Sequence, residues 1–213
     1  MRNSLRSLLL LLPLAYPAGV AAQQFEINEA TYITAEQIQE VNAIPGTDRQ
    51  IVSRDIGKLN LSVGIIQRGA LNPGAAGRGG GAGRGAAAPP ARPCGVSSGP
   101  LSGARGIAHD HQTETYVVVS GAGTLVTGGA ILNGNQSSPE SGVTTLLNGP
   151  SCSGTIVGDV KAIDVKVGDV IIIPAGVPHG WSNIPDHVHY LSVRPDPDRV
   201  LPDDYVNPAV TLR

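Results

Sequence analysis

Apolar and polar residues alternate over several short stretches of this chain, which predicts β-strands more often than helices. Every second residue from Leu59 to Ile65 is apolar, so residues 59–67 are predicted to form a strand with one apolar face. Residues 50–54 and the β-branched run 170–173 are also predicted strands. The pattern favours an all-β domain.

One segment departs from this pattern and predicts a short helix near the start of the mature chain. Thr34 and Gln37 have the spacing of a capping box, and Ile33 and Ile38 are placed as a hydrophobic staple around it. The helix is expected to run for about two to three turns and to end near Pro45.

Residues that could bind a metal ion occur in two segments. In the first, His109 and His111 are two residues apart, so both rings would lie on one face of a strand. Glu114 follows after an odd step, and a turn or bulge at residues 112–113 would return it to that face. Tyr116 shares the parity of Glu114 and is a candidate catalytic residue, since its phenol could donate a proton; a core tyrosine is an equal alternative.

The second segment combines a turn at Gly168, the strand 170–173 and a tight turn at residues 174–176. His179 would begin the next strand. If these segments meet, three imidazoles and one carboxylate form a transition-metal site with room for substrate or water. The alternative is a set of satisfied polar residues without metal.

The two segments resemble the two sequence motifs of the cupin superfamily. The first motif is matched by Gly103, His109, His111, Glu114 and Gly121, and the second by Gly168, Pro174, Gly176, His179 and Asn183. The only departure is the gap between His111 and Glu114, which is one residue shorter than usual. The resemblance covers about half of the mature chain. It implies a double-stranded β-helix (jelly-roll) barrel with His109, His111, Glu114 and His179 as metal ligands.

The resemblance also implies a range of activities. Cupins include dioxygenases, isomerases, oxalate-degrading enzymes and non-catalytic proteins, and the fold does not choose among them. We expect one divalent transition metal ion (Fe, Mn, Ni, Cu or Zn) and a small oxygen-bearing substrate, with dioxygenase-type oxidoreductase chemistry slightly favoured. The alternatives are a non-redox isomerase or lyase and a non-catalytic cupin that binds a small ligand.

Residues 1–22 have the basic start, short apolar run and small-residue end of a secretory signal peptide. Prolines interrupt the apolar run, so a membrane span is not expected. Residues 23–213 fit one domain in a secreted or periplasmic protein. Without Arg2 and Arg6 the chain has 13 basic and 17 acidic residues, which gives no basic footprint for nucleic acid.

The remaining segments give less specific expectations. Cys94 and Cys152 favour a disulfide in an exported protein, although two free thiols are the alternative. The Gly-, Ala-, Arg- and Pro-rich residues 70–93 predict a flexible loop within the domain. Turn signals between Gly121 and Gly168 predict one or two hairpins, a loose tail is expected after residue 198, and a homodimer through open strand edges is predicted. His187 and His189 are expected to have a surface or structural role, and Trp181 to pack in the core.

Overall fold

The computed structural model describes residues 30–72 and 92–211. The predicted signal peptide and residues 73–91 of the predicted loop lie outside this part of the chain. The described elements, in chain order, are α1 Ala35–Asn42, β1 Asp48–Asp55, β2 Asn60–Leu71, β3 Pro93–Cys94, β4 Arg105–His109, β5 Glu114–Gln136, a π-helical turn Val143–Leu147, β6 Ser151–Lys166, β7 Val170–Ile173 and β8 His179–Asp196. In these ranges no helix is long and apolar enough to cross a membrane.

Two long strands hold the barrel together. β5 has 23 residues and β8 has 18, and each bends so that it pairs in both sheets. β8 pairs with β2 and the first part of β5 in one sheet, and with β4 in the other. All of the pairings between strands are antiparallel, and β7 pairs with the start of β5. The predicted all-β, double-stranded β-helix fold is confirmed.

Helix α1 begins at the predicted capping box. The Thr34 side chain accepts a hydrogen bond from the Gln37 backbone N–H (3.2 Å), and the Gln37 side chain accepts one from the Thr34 N–H (2.8 Å). These bonds satisfy two of the donors that a helix start leaves unpaired. Val41 then packs with Ile51 and Ile65, so α1 covers the outer face of the sheet.

The two faces of β2 show how the barrel interior is divided. Val63 and Ile65 pack outward with the α1 cluster, which places the predicted apolar face beneath the helix. The alternate residues Asn60 and Ser62 are fully buried on the opposite face. One end of the barrel interior is therefore polar, whereas the other holds an apolar cluster that includes Trp181.

The insert between Gly121 and Gly168 is one long hairpin formed by β5 and β6. The sequence predicted one or two hairpins here, and the structure has one, but the turn signals at Gly128–Gly129 and Asn133–Gly134 do not form its turn. These residues lie within β5, where the pairing register shifts at bulges. Asn133 and the two glycines at 128 and 129 have positive φ angles (46°, 91° and 66°), which such bulges accommodate.

The bounds of two other predicted segments also differ. β2 continues to Leu71, which packs against the core, and Pro93 belongs to β3, so both ends of the predicted loop 70–93 are in strands. The tail after β8 is not loose. The Ser53 N–H donates to Tyr205 O (2.9 Å) and the Asn207 N–H to Ile51 O (2.8 Å), because the returning chain pairs with β1.

Cys94 and Cys152 form a disulfide, as the sequence favoured. The bond joins residues 58 apart in the chain and ties the two-residue strand β3 to β6. Cys152 is buried in a small apolar cluster with Ala108 and Ile131. The disulfide therefore adjoins the strand that ends at His109.

Candidate metal centre

Three strand ends bring His109, Glu114 and His179 together. β4 ends at His109, β5 begins at Glu114 and β8 begins at His179. Glu114 Oε2 lies 3.2 Å from His109 Nε2 and 3.1 Å from His179 Nε2. The three residues are 4%, 1% and 4% exposed, so the cluster is almost fully removed from water.

The structure does not bring His111 to this cluster. The strand ends at His109, so the rule that residues two apart share a strand face no longer applies at His111. His111 Nδ1 instead lies 2.7 Å from Asp198 Oδ2, and the His111 side chain is 59% exposed. Hydrogen bonding to Asp198 raises the pKa of His111 above its ordinary value.

Contacts with the second motif hold the chain in this turn. The Gly176 N–H donates to His109 O (2.7 Å), and the Ala175 N–H donates to Thr113 Oγ1 (3.3 Å). Only two residues separate His111 from Glu114, so the chain must turn immediately after His109 to begin β5. The short gap in the first motif was the sequence signal for this difference.

The outer nitrogens of both histidines in the cluster have hydrogen-bond partners. His179 Nδ1 donates to the Val177 carbonyl oxygen at 3.0 Å. His109 Nδ1 lies 2.8 Å from Ser151 Oγ, and the Ser151 hydroxyl donates to Gly149 O at 2.9 Å. The serine oxygen must then accept the proton of His109 Nδ1. With the ring proton on Nδ1, the lone pair of Nε2 faces Glu114 in each histidine.

These lone pairs fit a metal ion. Burial lowers the pKa of His109, which favours its neutral form, and His179 Nε2 is buried without a hydrogen-bond partner among the described residues. The three potential ligand atoms, one from each of His109, Glu114 and His179, lie within 4.8 Å of one another. In octahedral coordination, neighbouring ligands of a metal with bonds of roughly 2.1 Å are about 3.0 Å apart. The observed 3.1 and 3.2 Å separations are close to this value.

The second oxygen of Glu114 is already occupied. Glu114 Oε1 accepts hydrogen bonds from Asn148 Nδ2 (2.9 Å), Ser192 Oγ (3.0 Å) and Arg194 Nε (2.9 Å). Burial alone would raise the pKa of Glu114, but the charge of Arg194 is the largest influence that lowers it, and the pKa lies well below its ordinary value. Glu114 is therefore held as a carboxylate.

Sequence reasoning missed these three residues. Ser192 and Arg194 are two residues apart on β8, and both are fully buried. The available signal in the sequence was a charged residue at a position whose strand parity places it on the buried face. Asn148 follows the π-helical turn in the insert, and its position in sequence carried no signal. It reaches Glu114 only because the β5–β6 hairpin folds over this end of the barrel.

Tyr116 lies beside Glu114, with which it was predicted to share a strand face. Its hydroxyl donates to Glu114 Oε2 at 2.7 Å, and its side chain is buried. Burial and the Glu114 charge raise the pKa of Tyr116 well above its ordinary value, so it stays a neutral phenol. Its ring lies 4.3 Å from that of Tyr190. Trp181 is a core residue, and its indole N–H donates to the Tyr190 hydroxyl at 3.4 Å.

The second histidine pair lies apart from the cluster. His187 contacts Asp186 (2.6 Å) and Ser120 (2.8 Å), and its ring centroid is 4.9 Å from that of His189. His189 Nδ1 lies 3.4 Å from Asn42 Nδ2. Because buried Val188 and Tyr190 alternate with them, the two histidines occupy the outer face of β8.

No protein-family model matches this chain, and no curated protein sequence matches it. One similar solved structure is a protein with a double-stranded β-helix domain from Klebsiella pneumoniae (16% identity, 80% of this chain and 93% of that one, TM-score 0.37). Others are a cupin superfamily protein from Desulfitobacterium hafniense (10%, 72% and 82%, 0.32) and oxalate oxidase in complex with the substrate analogue glycolate (13%, 73% and 54%, 0.33).

These likenesses concern the fold alone. The strand order of this chain and the positions of its two motifs on β4, β5, β7 and β8 define a cupin-type double-stranded β-helix. The double-stranded β-helix that the resemblance of the two motifs implied is therefore confirmed as the fold of the described residues. The His109–Glu114–His179 cluster adds a candidate metal site inside the barrel.

Proposed function

We propose that this protein is a metal-dependent cupin enzyme that acts on a small oxygen-bearing molecule. His109, Glu114 and His179 hold one divalent transition metal ion, either Fe, Mn, Ni, Cu or Zn. Dioxygenase-type oxidoreductase chemistry is favoured over an isomerase or lyase reaction. Two histidines and one carboxylate are the ligand set of non-haem iron(II) oxygenases, which leave coordination positions open for substrate and dioxygen.

The observation that carries this proposal is the state of His179. Its Nδ1 is committed to the Val177 carbonyl, and its buried Nε2 lies 3.1 Å from a carboxylate oxygen without a hydrogen bond. A buried polar atom rarely remains unpaired, and a cation between the lone pair of Nε2 and the carboxylate would give both atoms a partner. Metal-bound histidines commonly donate their other nitrogen to a carbonyl in this way.

The chain's own residues would then divide the remaining tasks. Ser151 fixes the ring of His109, and three donors fix Oε1 of Glu114, so the ligand atoms are held before a metal arrives. Bound metal would supply Lewis acidity and, for a redox-active ion, electron transfer. Tyr116 is the proposed catalytic residue: its neutral phenol, 2.7 Å from Glu114 Oε2, can donate a hydrogen bond or a proton to substrate oxygen.

A second candidate is a non-catalytic cupin that binds a small ligand. It is favoured by the large number of polar contacts around Glu114, whose two oxygens meet Tyr116, Asn148, Ser192 and Arg194 as well as the histidines. In this candidate, the contacts of Glu114 with Arg194 and the two histidines stabilise a polar core without any metal.

Elemental analysis of the mature protein, purified without an affinity tag, tests the two candidates. We expect about one transition metal ion per chain, with loss of most metal in His179→Ala and retention in the surface variants His189→Ala and His111→Ala. Equal metal loss in His179→Ala and His189→Ala would refute the assigned site. A metal-free protein that cannot be reloaded would favour the non-catalytic candidate.

We also propose that the protein is exported to the periplasm or the cell exterior and assembles as a homodimer without binding nucleic acid. The Cys94–Cys152 disulfide supports export, because such bonds persist in oxidising compartments. The leader-like composition of residues 1–22 is consistent with this route. Fractionation of the native host tests the proposed export. Measurement of the molar mass in solution tests the proposed homodimer.

A further inference from the structure

Arg194 is a buried cation that shares a partner with the candidate metal. Its side chain is fully buried on β8, and Nε donates to Glu114 Oε1 at 2.9 Å. Nη2 donates to Asp48 Oδ2 at 2.5 Å, and the Asp48 side chain is 16% exposed. An arginine is not found in such a place unless carboxylates pair with it. Here one of those carboxylates belongs to the metal cluster.

The pairing with Arg194 limits how Glu114 can bind a metal. Oε1 already accepts from Arg194, Ser192 and Asn148, which leaves only Oε2 directed at the two histidines. A carboxylate held in this way offers a single oxygen, so it occupies one coordination position. Glu114 takes none of the other coordination positions.

We propose that Arg194 makes this centre selective for small anionic ligands, such as a carboxylate. This inference rests on the proposed function. The positive charge of Arg194 cancels the negative charge of Glu114, and an imidazole that binds a metal adds no charge, so a divalent ion bound by the cluster keeps most of its own charge. Asp48 opposes the effect from the far side of Arg194. An anion therefore gains more from the loaded centre than a neutral molecule of the same shape.

Charge variants of the full mature chain test this inference, with Co²⁺ as the metal and acetate as the probe. Acetamide serves as a neutral ligand of matched shape. Arg194→Met removes the cation and retains an unbranched side chain, whereas Asp48→Asn makes the site more positive. Visible absorption of Co²⁺ reports the affinity for the metal and then the affinity of the loaded protein for each ligand.

The two variants are expected to shift in opposite directions. In Arg194→Met we expect Co²⁺ to bind about tenfold or more tightly and acetate about tenfold or more weakly than in the wild type. In Asp48→Asn both shifts reverse, which keeps the test decisive if Arg194→Met does not fold. Acetamide affinity is expected to change little in either variant.

A purely structural role for Arg194 predicts a different result. Arg194→Met would then lose Co²⁺ and acetate affinity together, and Asp48→Asn would change neither, which would overturn the inference. Equal shifts for acetate and acetamide would overturn it as well. Both outcomes leave the proposed function intact, whereas a wild-type protein that binds no Co²⁺ refutes the proposed metal site and this inference with it.

Discussion

Substitution of Ser151 by alanine tests the central argument about the histidine lone pairs. Ser151 is fully buried, accepts from His109 Nδ1 at 2.8 Å and donates to Gly149 O at 2.9 Å. Without the hydroxyl, the imidazole N–H and the carbonyl both lose their partner. Proton placement on His109 is then no longer fixed, and Nε2 presents its lone pair to Glu114 in only part of the population.

The substitution is expected to lower both the free energy of unfolding and the affinity for metal, and the two effects can be measured separately. Each buried group left without a partner costs about 1–3 kcal/mol, so the loss of two partners should lower the free energy of unfolding by roughly 2–6 kcal/mol. For a chain of this size Tm falls by about 2–4 °C per kcal/mol. Loss of a group that orients a metal-binding histidine typically lowers metal affinity about 10–100-fold. Calorimetry of the metal-free protein and a chelator-competition titration measure the two effects.

Ser53→Ala is the matched control for this experiment. Ser53 is also a fully buried serine, but it accepts a hydrogen bond from Ser62 Oγ (3.1 Å) and contacts no residue of the cluster. It should lose stability and keep metal affinity. If Ser151→Ala binds metal as tightly as the wild type, the lone-pair argument is refuted. If both variants lose affinity equally, the effect arises from stability alone.

Three further results are expected. Replacement of both Cys94 and Cys152 by serine should lower Tm, because the chain-entropy model assigns about 4 kcal/mol to a bond that joins residues 58 apart; an unchanged Tm in calorimetry would contradict this. The pKa of His111, measured by NMR, should lie above 6.5 and fall towards that value in Asp198→Asn, because the ion pair favours protonated His111 and is lost as pH rises through its pKa; the same pKa in both proteins would exclude the pair. The pKa of Tyr116 lies well above its ordinary value, so Tyr116 should not contribute to the tyrosinate titration of the folded protein. The near-ultraviolet absorbance titration of Tyr116→Phe should therefore match that of the wild type until the protein unfolds. A smaller amplitude in the variant would show that Tyr116 ionises in the folded protein.

Much of the fold and part of the site follow from local patterns. The capping box at Thr34 and Gln37 places the start of α1 because its hydrogen bonds connect residues only three apart. The turn at residues 174–176 delivers His179 to the start of β8 for the same reason. Strand parity likewise predicts that Glu114 and Tyr116 share a face, and both are buried.

Parity failed where a strand end depends on distant partners. The turn after His109 is braced by a hydrogen bond from Gly176, 67 positions later in the numbering of the chain, so the local spacing of the two histidines did not decide their directions. The bulges in β5 arose in the same way, since pairing with β6 and β8 overrides the turn preference of their glycines.

The sequence by itself determined the strand pattern, the short helix and three of the residues that form the cluster, since side-chain parity and turn chemistry act over a few residues. Only the tertiary structure decided which charges meet. Arg194 lies 80 residues from Glu114 and Asn148 lies 34 residues from it, yet both donate to the carboxylate of Glu114. Their contact depends on the closure of the barrel, because a buried charge acquires its partner only when the long strands β5 and β8 pair.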